Sequence, residues 1–316
     1  FIIMVFNYYS AILHSIKYHI VTTKEVNMNK VAVITDSIAA ISPEMAQEYG
    51  IGIVPAHVIM DGKDYPDTEI DMGMLYARLE GKENLPTTSG ATTGQFLQAY
   101  QEMSQRAEAI LVITLTSAYS TTYGAAVQAR EMAREKLLKT IIEVVDCRTV
   151  AGAQLLIVLQ AARAAAQGKS LQEVTEVAND MILRVNDLSM RDTLFYLDKG
   201  GLVYEAGSWA EAESKSTFRA ILRVDASTEG ITKPVARAKT KTQIMNKMVD
   251  IAKERVRDKK LYAAIVHTNV PDQAEQLKKM ILSQFQCDEF YVAEALGATA
   301  VKNGRGLIHF GFYGGD

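Results

Sequence analysis

The chain has 316 residues, of which 48% are hydrophobic and 22% are charged, and its formal net charge is −3. This is the composition of an ordinary globular protein with one large or two medium domains. The slight acidic excess argues against a general nucleic-acid-binding protein, and two distant cysteines without a CxxC pair argue against a disulfide framework or a zinc site.

The first 27 residues are apolar but short and interrupted. FIIMVFNYYSAIL falls short of the roughly 20 residues that cross a bilayer, so we expect no stable membrane insertion. It also lacks the charged start and the cleavage site of a secretory signal. We interpret residues 1–27 as a leader or disordered extension and Met28 as the natural start, with a membrane-contacting amphipathic arm as the alternative. Free thiols in apolar surroundings favour a cytoplasmic protein.

In the first half of the chain, apolar runs alternate with helical patterns. Strands are predicted at 31–35, 51–60, 109–115 and 140–146, with DGKDYPD as the turn after the second strand. The first helix is predicted between a Ser42 cap and Gly50, with Pro43 at its first position. Further helices are predicted at 72–81, 94–107 and 125–138. This alternation predicts a parallel, doubly wound sheet.

The second half opens with a different pattern. Residues 151–168 are apolar nearly all round, which predicts a buried helix between two domains. A capping box at Ser170 and Glu173 starts the next helix. Strands are then predicted at 193–197, 218–224, 231–238, 261–268, 290–296 and 306–312, with helices at 241–257 and after Pro271.

This order of elements predicts an α/β protein with two α/β domains. Residues 28–160 form the predicted N-terminal domain with the parallel sheet, and residues 161–316 form the predicted C-terminal domain with a mixed sheet.

The chain lacks the common catalytic and phosphate-binding motifs. GxSxG, GxxxxGK[ST] and HExxH do not occur, and the five histidines are dispersed. We therefore predict no catalytic residues, no metal site and no cofactor, and favour binding over catalysis.

Hydroxyl side chains are concentrated in two segments, residues 114–122 and residues 85–96. The first segment follows a predicted strand, and both precede predicted helices. Ligands of open α/β sheets bind beyond the carboxyl ends of the strands, and helix N-termini there favour anions. The two segments therefore indicate a site for a small anionic head such as a carboxylate. The alternative is that these residues only cap helices and form turns.

Seven motifs, in this order, resemble those of the bacterial DegV family of fatty-acid-binding proteins: VAVITDSIAAIS, IVPAHVIMDGKDYPD, TTSGATTGQF, LTSAYSTTYGAA, VVDCRTVAGAQ, LDKGG and AAIVHTN. The resemblance spans roughly residues 29–312, and the ordered set is more specific than any single motif. It implies a non-enzymatic carrier with one long-chain fatty acid, such as palmitate, stearate or oleate, in a tunnel between its two domains. It also implies a partner, an ATP-dependent fatty acid kinase that converts the presented carboxylate into acyl phosphate for phospholipid synthesis.

The resemblance assigns the carboxylate site to two segments. Thr88 and Ser89 match the family's Thr-Ser-Gln-Pro segment, whose threonine contacts the carboxylate. Ser120 matches the serine of the Leu-Ser-Gly-Thr-Tyr segment, and Thr121 replaces its glycine. Gly90 stands where the family has glutamine.

Two further motifs differ from the family pattern. Leu202 replaces the arginine of the Lys-Gly-Gly-Arg segment. Lys302 and Asn303 match the first two positions of a His-Thr-Gly-Pro-Gly run, so that a lysine replaces the histidine. A lysine beside a carboxylate strengthens anion binding, a charge-assisted bond contributing about 1.5–3 kcal/mol. The alternative is a solvent-exposed lysine on a glycine-rich loop.

Four other residues are weaker candidates. Ser37 follows the first strand, and His57 follows Pro55 near the expected crevice. His267 ends a buried strand, where a structural role is favoured over ligand contact. Lys239 corresponds to a basic residue that the resemblance links to kinase docking.

The acyl tail and the head group of such a ligand would contribute different amounts to the binding free energy. Burying a sixteen-carbon chain contributes roughly 12 kcal/mol at about 0.8 kcal/mol per CH₂. Head-group hydrogen bonds add a few kcal/mol. The alternatives are a different anionic lipid or small molecule, suggested by Leu202 and Lys302, and a phosphotransferase, for which Asp36 would be the residue to replace.

Overall fold

The computed structural model describes residues 29–213 and 218–315. The predicted leader at 1–27 and the predicted start at Met28 lie outside the described residues. Within the described ranges, no helix is both long enough and apolar enough to cross a membrane.

Four parallel strands form the first sheet, in the order β2-β1-β6-β7. Both faces of this sheet are covered, because alternate residues of β1 and β6 pack into two separate apolar clusters. This explains the continuous apolar runs, and it confirms the predicted parallel, doubly wound sheet. Its strands are β1 (Asn29–Asp36), β2 (Gly52–Val54), β6 (Ala107–Thr114) and β7 (Ile141–Asp146).

A small antiparallel sheet lies beside it, in the order β4-β3-β5. The prediction of one strand at 51–60 was wrong, because β2 ends before Pro55 and β3 belongs to this other sheet. The predicted turn after it also contains a strand. The three strands are β3 (His57–Met60), β4 (Lys63–Pro66) and β5 (Thr87–Ser89).

The third sheet has six strands in the order β10-β9-β8-β13-β11-β12. Only the β11–β12 pair is parallel among the described strands of this sheet, so the predicted mixed sheet is confirmed. Its strands are β8 (Asn186–Met190), β9 (Arg219–Arg223), β10 (Lys233–Ala238), β11 (Lys260–His267), β12 (Cys287–Glu294) and β13 (Ile308–Gly315).

The helices pack on these sheets. They are α1 (Pro43–Tyr49), α2 (Met72–Glu80), α3 (Thr93–Ser104), α4 (Thr122–Ala133), α5 (Ala151–Ala166), α6 (Leu171–Arg184), α7 (Phe195–Lys199), α8 (Gly207–Glu213), α9 (Lys241–Val256), α10 (Pro271–Leu282) and α11 (Gly297–Asn303).

Helix α5 connects the two large sheets. It packs on β1 of the parallel sheet and on β11 and β13 of the mixed sheet, and most of its residues are buried. The predicted buried helix is therefore confirmed. The predicted domain boundary at residue 160 falls inside α5 and stays a prediction.

The strand predicted at 193–197 was wrong, because the chain forms α7 there. The Thr193 hydroxyl accepts a hydrogen bond from Phe195 N–H, and the Glu213 carboxylate accepts one from Leu194 N–H. These bonds satisfy free N–H donors at the start of the helix. Glu213 lies 19 residues from Leu194 along the chain, so a local pattern could not indicate this contact.

Candidate functional site

A cavity lies between the carboxyl edge of the parallel sheet and the inner face of the mixed sheet. It encloses about 730 Å³ of space between its walls, including the part that is continuous with solvent. Apolar side chains such as Ile38, Leu115, Val150, Leu197 and Val224 form much of its wall. The cavity therefore offers an apolar interior at the edge of the sheet where open α/β folds bind ligands.

The two hydroxyl segments meet in the wall of this cavity. Thr88, Ser89 and Ser120 all line it. A Cβ placed on Gly90 would lie 2.6 Å from Oγ of Ser120 and 2.7 Å from Oγ1 of Thr122, so the two segments touch. Gly90 permits this close approach because it has no side chain. The segments are thus brought together as the sequence analysis expected.

Two helices start in the same cavity wall as these hydroxyls. Oγ of Ser120 lies 2.8 Å from Oγ1 of Thr122 and accepts a hydrogen bond from the Thr122 N–H at the start of α4. Helix α5 starts at Ala151, which also lines the cavity, and no side chain caps it. The starts of two helices thus contribute partial positive charge to the same region.

Lys302 and Asn303 line the cavity from α11. The alternative of a solvent-exposed lysine on a glycine-rich loop does not hold, since these residues form the last turn of a helix. Lys302 is half-buried, its Nζ lies 3.5 Å from the carbonyl oxygen of Gly200, and burial lowers its pKa. Asn303 is buried and donates from Nδ2 to the Thr299 carbonyl at 2.9 Å. Lys302 thus brings an amino group into the wall of the cavity.

The other five predicted residues lie outside the cavity wall. Thr121 is exposed before α4, and Lys239 is exposed before α9. The Ser37 hydroxyl donates to Oδ2 of Asp67 at 3.0 Å and accepts from Ala56 N–H at 2.9 Å.

Both histidines among these five have protein partners. His57 lies 2.8 Å from Asp64 through Nδ1 and 2.8 Å from Gln95 through Nε2. His267 is buried, which lowers its pKa, and its Nδ1 accepts from Val270 N–H at 3.5 Å.

Sequence reasoning missed a group of polar residues at the mixed sheet. Arg191 and His309 are buried and line the cavity, and the partly buried Tyr119 lines it beside Ser120. Nδ1 of His309 lies 2.9 Å from Oδ2 of Asp187 on the neighbouring strand. The missed signal was the polar run NDLSMR, which forms β8 and the residue after it.

Leu202 is buried and lines the cavity, so the replacement of an arginine places an apolar group here. The cavity nevertheless contains a guanidinium, which Arg191 supplies from another part of the chain.

Comparisons with known proteins identify the family of this chain. A family model described as "Uncharacterised protein, DegV family" matches residues 30–314. The chain belongs to the DegV family. A DegV domain-containing protein of Clostridium perfringens is 29% identical over 259 residues, which cover 82% of this chain and 90% of that protein.

Solved DegV structures share the fold. A DegV family protein from Thermus thermophilus, whose structure is described as showing fatty acid binding, aligns with a TM-score of 0.83 at 21% identity and covers 90% of this chain and 99% of that one. DegV from Bacillus subtilis, described as a fatty acid binding protein, aligns with a TM-score of 0.79 at 24% identity and the same coverage. The arrangement of a parallel and a mixed sheet is therefore that of the DegV fold.

Proposed function

We propose that this DegV protein binds a long-chain fatty acid, such as palmitate, stearate or oleate, in the cavity between the two large sheets. The observation that carries the proposal is that Thr88 and Ser120 line one largely apolar cavity, with Gly90, two residues after Thr88, directly against Ser120. The two hydroxyls are placed to donate hydrogen bonds to a carboxylate, and the apolar wall is suited to the acyl chain. The solved relatives described as fatty-acid-binding proteins support this assignment.

The proposed role is that of a cytoplasmic, non-enzymatic carrier that offers the carboxylate to a separate ATP-dependent fatty acid kinase. Asp36, the residue considered for a phosphotransferase, lies outside the cavity wall. Its carboxylate accepts hydrogen bonds from the N–H groups of Leu115 and Ile38 and from Nε2 of Gln154. These contacts tie β1 to β6 and α5, so a structural role for Asp36 favours the carrier over the enzyme.

A different anionic lipid or small molecule is the second candidate. The amino group of Lys302 and the guanidinium of Arg191 in the cavity wall favour it, because both cations suit a ligand with more negative charge than one carboxylate. Extraction of the purified protein and identification of the bound molecule by mass spectrometry separates the two candidates. One long-chain fatty acid per chain supports the first candidate, and any other lipid supports the second.

Removing the two hydroxyls should weaken fatty acid binding without abolishing it. Each charge-assisted hydrogen bond contributes about 1.5–3 kcal/mol, so Thr88→Val and Ser120→Ala should each lower palmitate affinity by about tenfold or more. Most of the binding free energy comes from the acyl chain and remains. Titration of delipidated protein with palmitate measures this, with native mass spectrometry to count the bound ligand.

Thr93→Val is the matched control for these variants. Thr93 starts α3, and its hydroxyl donates to Oε1 of Gln128 rather than into the cavity. Its palmitate affinity should equal that of the wild type. Wild-type affinity in both Thr88→Val and Ser120→Ala would contradict the head-group assignment, and failure of the delipidated wild type to take up palmitate or oleate would contradict the function.

The proposed docking of the kinase can be tested separately, by replacing Lys239. This residue is exposed at the start of α9, away from the cavity, so Lys239→Ala should slow acyl phosphate formation with purified kinase and ATP by several-fold while palmitate affinity is unchanged. Lys247→Ala, at an exposed position on α9, is the control. Equal rates for Lys239→Ala and Lys247→Ala would show that Lys239 takes no part in docking.

A further inference from the structure

Arg191 is a buried cation in the cavity wall whose donors are incompletely used. It directly follows β8, is 5% exposed and lines the cavity. Nη2 donates to the Ser189 hydroxyl at 2.7 Å. Nε and Nη1 have no hydrogen-bond partner within the part of the chain that the structure describes. A guanidinium carries several N–H donors in one plane, so this side chain can accept a further planar partner.

The protein compensates the charge of Arg191 only in part. Desolvation lowers its pKa to about 10, although Tyr119 and Asp187 act in the opposite direction, so the group stays protonated at neutral pH. The oxygens of Asp187 lie 3.1 and 2.9 Å from Nδ1 of His309. The described residues form no ion pair with Arg191. Leaving a buried charge without its partner is costly, which argues against a purely structural role.

An acyl chain alone would leave these donors without a partner in the occupied cavity. A carboxylate would satisfy them, because its two oxygens match the spacing of guanidinium N–H groups. We propose that Arg191 binds a carboxylate of the ligand inside the cavity, as a binding residue in addition to Thr88 and Ser120. This inference rests on the proposed function, since it assigns an acyl carboxylate to the same cavity. The carboxylate is either the head of a fatty acid or a second acidic group on its chain.

Three ligands of equal chain length separate these sources: palmitate, 1-hexadecanol and hexadecanedioate. Arg191→Met removes the charge and keeps an apolar side chain. Palmitate affinity should fall about tenfold or more if Arg191 holds the head group, while hexadecanol affinity stays unchanged. If only hexadecanedioate loses affinity, Arg191 holds a second acidic group. Arg191→Lys should recover part of the loss because it restores the charge. Unchanged affinity for both acids in Arg191→Met would overturn the inference.

The stability of delipidated protein gives a readout that needs no ligand. Arg191→Met should unfold at a higher urea concentration than the wild type, because it removes a buried charge with unpaired donors. Lower stability would show that Arg191 mainly supports the fold and would overturn the inference. Arg134→Met, at an exposed position next to Glu131, is the matched control and should leave both stability and selectivity unchanged.

The two proposals fail in different ways. A wild type that binds none of the three ligands would contradict the proposed function, and the urea comparison would still decide whether Arg191 is a structural or a binding residue. A wild type that binds palmitate, together with unchanged affinity of Arg191→Met for both palmitate and hexadecanedioate, would contradict the role of Arg191 alone.

Discussion

Gly311→Ala is expected to destabilise the protein by more than about 3 kcal/mol or to prevent folding. A Cβ at Gly311 in β13 would lie 2.2 Å from N of Ala153 and 2.3 Å from C of Gly152. Both contacts are with the backbone of α5, which cannot turn away as a side chain could. Urea unfolding of the variant and of the wild type measures the difference.

Gly124→Ala is the control for this prediction. Gly124 lies on the exposed face of α4, and a Cβ there would meet no atom within 4 Å. Because alanine favours helix more than glycine does, this variant should be stabilised by about 0.5–1 kcal/mol. A Gly311→Ala protein that unfolds at the same urea concentration as the wild type would show that α5 can move away from β13.

The contact at Gly311 also determines the shape of the cavity. A Cβ on Gly152 would lie 2.6 Å from the carbonyl oxygen of Ala264 in β11, so the first turn of α5 lies directly against the mixed sheet. Val150 and Ala151, just before this contact, line the cavity. The two glycines therefore set the distance between the wall formed by α5 and the mixed sheet.

Local pattern predicted the parallel sheet and its helices well, because these strands are covered on both faces. The run VAVI at residues 31–34 is apolar at every position, and its residues alternate between two apolar clusters. Helix α5 was predicted as a buried helix for the same reason, since it contacts both large sheets. Where the buried residues of an element are all apolar, the local sequence pattern is sufficient to predict that element.

Strand β8 could not be predicted in this way. Its residues Asp187 and Ser189 are polar but buried, because their partners His309 and Arg191 compensate them. His309 is 122 residues away from Asp187 along the chain. A local pattern contains no information about such a partner. Arg191 was missed as a candidate because β8, which it directly follows, was missed.

The candidate site residues were proposed mainly from the resemblance to the DegV family. Thr88, Ser120 and Lys302 come from three separate segments, and no spacing in the sequence joins them. Helix α11 was missed because its sequence GATAVKN is short and lies between glycines, although it places Lys302 in the cavity wall. The resemblance therefore pointed to a residue that lines the cavity, while the local pattern did not indicate the helix that carries it.

A pH dependence of stability is expected from the buried carboxyl of Asp67. Desolvation raises its pKa to about 6 from an ordinary 3.8, against a hydrogen bond from Ser37 that lowers it. Between these two values the folded state holds a proton that the unfolded chain has lost. The contribution of Asp67 is therefore fully present below about pH 4 and is lost as the pH rises to about 6, a change of about 3 kcal/mol.

Urea unfolding from pH 4 to pH 7 tests the direction of this pH dependence. Asp67→Asn cannot ionise, so its free energy of unfolding should fall less steeply with rising pH than that of the wild type. Ser37→Ala removes a donor that favours the ionised carboxylate of Asp67. The decline in the free energy of unfolding of this variant should therefore extend to higher pH. Part of the decline should remain in Asp67→Asn, because burial also raises the pKa of Asp36 to about 6. Identical pH profiles for Asp67→Asn and the wild type would show that Asp67 stays ionised in the folded protein.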